Sequence, residues 1–326
     1  MAVKEKELVQ ILSRLYPSTR WPKPFNLLQG KLLVGSGKDI RIAAREVGTT
    51  AARLTQFLES PNTVTALLRS QPEDDDRRRA KQILGNLIVG KCAEITFEEI
   101  YKEHTRTTEL ELRDLREGRS DTDYRLFNGR GRPVYRINIK FHGTLFRRAK
   151  EMVGLEPEDC FALATYKIDG ALQKQKRDEL PYIFVIVSVP NLTAESIGAG
   201  VPEDLLEFVA CVTVSEGIPQ KRDIEDRMVD VLREEGHPAF DATRKRIRAA
   251  NWYVLGAKKA DLLLRSLLFE RVFALRTRNF SRQFKGAELD MHFSLSKDLT
   301  PLATYLDMLR EAGYPRVTTL LERGDY

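Results

Sequence analysis

Residues 121–142, DTDYRLFNGRGRPVYRINIKFH, bring together side chains that could do chemistry. Asp123 offers a carboxylate, Asn138 an amide oxygen and Lys140 an amine. Side chains alternate between the two faces of a strand, so Asn138 and Lys140, two residues apart, aim at one point. A hard cation such as Mg²⁺ takes oxygen ligands and keeps several waters. Asp123, Asn138 and the backbone carbonyl of Ile139 could supply three such oxygens. A lysine beside them would orient an attacking water and offset the charge that builds on a phosphate. The chemistry these groups suit is metal-assisted phosphodiester hydrolysis. The bland alternative is an ordinary sheet whose solvent face holds Arg136, Asn138 and Lys140. His142 shares that face, either as a proton-transfer group or as a cap on the strand end.

The elements that must position these residues follow from periodicity. Two strand-like runs, 123–127 and 133–141, flank Asn128-Gly129, a dipeptide that turns readily. In the second run Tyr135, Ile137, Ile139 and Phe141 form an apolar face opposite Arg136, Asn138 and Lys140. Upstream, 78–103 reads as a long helix with Glu94 and Glu98 one turn apart. Downstream come a helix over 144–153, a strand over 160–168, a helix over 169–177 and a strand over 182–190. That last strand is apolar on both sides and so central in its sheet. This alternation predicts an α/β core.

At Asp123, followed after a gap of fourteen residues by Asn138-Ile139-Lys140, the sequence resembles the PD-(D/E)XK nuclease superfamily, which includes most type II restriction endonucleases. The family motif is an aspartate, a gap, then acid-x-lysine on the next strand. The resemblance covers roughly 80–190 and implies a helix–strand–strand–strand–helix–strand core, an α/β/α domain with a mixed central sheet. It also implies Mg²⁺, cleavage of double-stranded DNA, and an assisting acid on the preceding helix, with Glu94 the first choice and Glu98 the second. Two positions depart from the pattern. Thr122 replaces the motif's proline, and Asn138 replaces its acid. The second loses a negative charge, which also fits a non-catalytic DNA-binding regulator with a degenerate nuclease-like domain.

A second module precedes this one. Residues 39–60, DIRIAAREVGTTAARLTQFLES, read as helix, tight turn, helix. Asp39 can cap the first helix, Gly48 suits a left-handed C′ position, and Thr49 or Thr50 can cap the next. The spacing resembles a helix-turn-helix, with Thr50 at the start of the second helix and Arg53, Thr55 and Gln56 on its exposed face, where such side chains reach base edges. An ordinary helical hairpin is the other reading. Residues 61–70 are either a wing or a further short helix.

Charge agrees with a polyanionic partner. Residues 1–72 hold 11 Lys+Arg against 5 Asp+Glu, and 241–285 hold 12 against 3, while the whole chain carries only +6. The second basic region includes Arg244, Arg246, Arg248, Arg276, Arg278, Arg282 and Lys285. No apolar run approaches the roughly 20 residues of a membrane span. Three scattered cysteines fit a reducing cytoplasm. The sequence thus predicts a helix-turn-helix domain over 1–72, an acidic linker over 71–77, and a catalytic domain over 78–326 with a helical extension over 212–326. Cutting both strands with one site per chain implies a homodimer on DNA.

Overall fold

The chain is α/β in the computed structural model, which describes residues 4–60, 68, 71–105, 109–114, 123–216, 218, 220–273 and 289–323. The expected wing at 61–70 falls outside these apart from Leu68, and so do Thr122, Arg276, Arg278, Arg282 and Lys285. Elements are numbered in chain order below. Two compact units emerge, one from Met1–Val89 with Thr193–Thr243, the other from Gly90–Leu192 with Arg244–Tyr326.

The described elements of the first unit are all helices. In α1 (Glu5–Leu15) the stripe Leu8, Ile11, Leu12 and Leu15 is buried, as its spacing predicts. It packs against α9 (Glu203–Val214) and α10 (Lys221–Glu234). Three further helices, α2 (Phe25–Gly35), α3 (Ile40–Glu46) and α4 (Ala51–Glu59), pack on one another around Ala43, Ala44, Val47, Leu54 and Phe57. The long α5 (Asp74–Thr105) starts four residues earlier than its periodicity suggests. The acidic run expected as linker is its first turn, where carboxylates suit the positive end of the helix dipole. Where α5 crosses α8 (Ala194–Gly198), both helices carry glycine. A Cβ on Gly85 would sit 1.8 Å from the Ala194 carbonyl oxygen, and one on Gly198 would sit 2.0 Å from that of Lys81. Only hydrogen at both positions permits this approach.

The second unit is built on a six-stranded sheet of order β1-β2-β3-β5-β6-β9. These strands are β1 (Glu111–Arg113), β2 (Tyr124–Phe127), β3 (Pro133–His142), β5 (Tyr182–Ser188), β6 (Asn251–Gly256) and β9 (Thr300–Pro301). β3 and β5 run parallel and every other pair is antiparallel, so the sheet is mixed. All seven residues of β5 are buried, as its two-sided apolar run predicts. The hairpin turn differs from the Asn128-Gly129 expectation: Gly131 takes the left-handed conformation at φ 69°. The Asn128 side chain accepts from the backbone N–H of Arg130 and of Arg132, which closes a wider loop.

Alternation splits this sheet as expected. Phe97 and Tyr101 of α5 pack with Tyr124 and Trp252 on one face. On the other, α7 (Thr165–Asp178) and α12 (Ala257–Ser266) cover Phe184, Ile186 and Leu255. The segment 160–168 corrects the sequence reading in two ways. Only Cys160–Ala164 is strand (β4), and it joins β8 (Asp290–Ser294) and β7 (Val272–Phe273) in a separate antiparallel sheet. The helix expected over 144–153 shrinks to α6 (Ala149–Val153).

Candidate functional site

Asp123 immediately precedes β2, whose pairing Tyr124↔Ile137 brings it opposite Asn138. One carboxylate oxygen, Oδ2, accepts the backbone N–H of Ile139 at 2.6 Å and the Asn138 amide at 3.1 Å. The carboxylate thus continues the ladder where β2 has not yet begun. The N–H and carbonyl of one strand residue project to the same edge, so the Ile139 carbonyl points to this edge too. With its NH₂ turned to Asp123, Asn138 keeps its amide oxygen as an acceptor.

Lys140 lies one register step beyond Asn138, beside Ile186 of β5. Burial pushes its ammonium down to about 8 from the ordinary 10.5. The Asp123 carboxylate opposes that shift, while Lys167 and Lys174 of α7 reinforce it. Three lysines from two elements, β3 and α7, therefore share one electrostatic neighbourhood with Asp123. The sequence reading missed Lys167 and Lys174. Their seven-residue spacing is a helical signal, but it is hidden when 160–168 is read as strand.

Other expected residues stand elsewhere. The Glu98 carboxylate accepts the Tyr124 hydroxyl at 2.8 Å and pairs with Lys102. The Glu94 carbonyl lies 3.5 Å from the same hydroxyl. Both glutamates thus belong to the helix covering the face opposite Asn138 and Lys140. His142 is buried, with Nδ1 3.0 Å from the Ser188 hydroxyl and its ring against Phe146 and Phe161. Arg136 is 3% exposed and paired with Asp178, so the polar side of β3 is no solvated face at that point.

In the first unit Asp39 accepts the N–H groups of Arg41 and Ile42, Gly48 has φ 62°, and the Thr50 hydroxyl accepts the N–H of Arg53. Arg53, Thr55 and Gln56 are exposed on α4. Arg244 and Arg248, on α11 (Pro238–Arg248), are paired with Glu99, and Arg248 also with Glu103. Arg246 is exposed.

As a metal site, Asp123, Asn138 Oδ1 and the Ile139 carbonyl fit Mg²⁺ in donor type and supply a single negative charge. Among the described residues no three His, Cys, Asp or Glu side chains gather in a way that could hold a metal ion. No described helix is long and apolar enough to cross a membrane. No family model, curated protein or solved structure matches the chain.

Proposed function

We propose that this chain is a Mg²⁺-dependent, sequence-specific endonuclease of double-stranded DNA, built on the PD-(D/E)XK plan of type II restriction enzymes. One observation carries the reading. The Asp123 carboxylate, bonded to the Asn138 amide and the Ile139 N–H, acts electrostatically on the Lys140 amine, which lies two residues along β3 on the same face as Asn138. The element order supports it. With α6 and β4, which come between β3 and α7, set aside, the chain runs α5, β1, β2, β3, α7, β5, the helix–strand–strand–strand–helix–strand order that the resemblance implies. The first of those strands is the three-residue β1.

Asp123, Asn138 and the Ile139 carbonyl would hold Mg²⁺, which when bound polarises the phosphate and acidifies a bound water. Lys140 orients the attacking water and, as an ammonium, stabilises charge on the phosphate oxygens. Asp123 keeps that amine protonated further up the pH scale than burial alone would allow. Glu94 has no part in this scheme, because its helix covers the other face. The α3–turn–α4 segment reads sequence through Arg53, Thr55 and Gln56, and the enzyme works in the cytoplasm as a homodimer on DNA.

The rival is a DNA-binding regulator with a degenerate site. It is favoured by Asn138, which lacks the charge of a second carboxylate and so lowers metal affinity. A plasmid-nicking assay separates the two. The nuclease reading expects relaxation or linearisation of supercoiled plasmid with Mg²⁺ and none with EDTA. Intact plasmid under both conditions, with duplex binding retained, favours the regulator.

A further inference from the structure

Two tethers fix how α7 lies on the sheet. At its C-terminal end Asp178 pairs with Arg136 of β3, and Gln175 Oε1 accepts the backbone N–H of Tyr182 on β5. Ile168 and Ala171 are buried in the cluster that contains Phe184 and Ile186. The helix therefore runs antiparallel to β3 and β5. From Arg136 to Lys140 the strand advances about 13 Å. Going back along the helix, the same distance takes about nine residues from Asp178, to the level of residue 169. Lys174 comes level with Asn138 by the same reckoning, and Lys167 lies just past Lys140.

Lys167, Gly170 and Lys174 share one helix face, spaced i, i+3, i+7. Asp178 continues this face at i+11 and pairs with Arg136 of β3, so the face is turned towards β3. Glycine inside a helix costs about 1 kcal/mol relative to alanine. At Gly170 no packing demands it, since an added Cβ would meet nothing within 4 Å. The missing side chain leaves clearance midway between two cations, beside the candidate site.

Resting on the nuclease reading, we infer that this face of α7 is the second wall of a channel for the cleaved DNA strand. Lys167 and Lys174 each hold a phosphate on either side of the one at Lys140, and Gly170 gives the backbone room to pass. They are positioning residues, separate from the cation site.

The test uses the full chain and a duplex in EDTA, so that binding is measured without cleavage, by anisotropy between about 50 and about 200 mM salt. For K167A/K174A the slope of log affinity against log salt should fall by about two, because two phosphate contacts are lost. Gly170→Leu should keep or raise the melting temperature and weaken binding at least about tenfold, which is about 1.4 kcal/mol. If wild type binds and cuts while the double variant keeps its slope and Gly170→Leu keeps its affinity, this inference alone is overturned. If wild type binds no duplex, the nuclease reading falls and the channel with it.

Discussion

Lys140 is the residue on which the account turns, because its charge is held in a place that resists it. Burial lowers its affinity for a proton and two other lysines lower it further, while one carboxylate opposes them. The folded state therefore releases this proton near pH 8, whereas the unfolded chain keeps it to about 10.5. Between those values the unfolded state binds more protons, so stability due to this group rises with pH. Below pH 8 the full cost of the buried ammonium is present. Lys140→Met, similar in length and uncharged, is expected to be more stable than wild type near neutral pH, with a gap that narrows as pH rises through 8 towards 10.5. Urea midpoints across that range measure it, and a gap independent of pH would contradict the assigned burial.

At the scale of elements, the turn between α3 and α4 is set by three local devices: the Asp39 cap, the left-handed Gly48 and the Thr50 cap. Arg20 also donates to the Gly48 carbonyl at 2.6 Å, and a Cβ on Gly48 would fall on that guanidinium. Gly48→Ala should destabilise the chain by about 1–2 kcal/mol, from left-handed strain. Thermal unfolding reads this, and an unchanged midpoint would contradict the turn geometry. These devices were legible in the sequence because each is satisfied within a few residues. The alternation of β3 was legible for the same reason, and it placed Asn138 and Lys140 together. What was not legible depends on distant partners. CFALATYKI reads as one continuous strand, yet the chain turns helical at Thr165, and β4 finds its partners at 290–294. Three-residue β1 lies in a polar stretch and is specified only by its register with β2. The helix α9 is apolar nearly all round, so it carries no amphipathic stripe to announce it.

At the scale of the whole molecule, the chain order of the two activities proposed is not the order of the two compact units. Residues 193–243, read from the sequence largely as an extension of the catalytic domain, group with the N-terminal helices. The basic region at 241–285 is also quieter than its composition suggests, because Arg244 and Arg248 are neutralised by Glu99 and Glu103. In the proposed function, base reading belongs to α4. Arg53→Ala should weaken binding to the preferred duplex by about 1–3 kcal/mol and leave binding to unrelated duplex within a factor of a few. Competition titrations measure the ratio, and equal loss on both duplexes would remove base reading from this helix. The central claim is that Asp123 and Lys140 form one hydrolytic site, and single-turnover cleavage of one defined duplex by Lys140→Ala tests it most directly. The account predicts a rate lower by at least about 10²–10³-fold with duplex affinity nearly unchanged, and cleavage at the wild-type rate would contradict it.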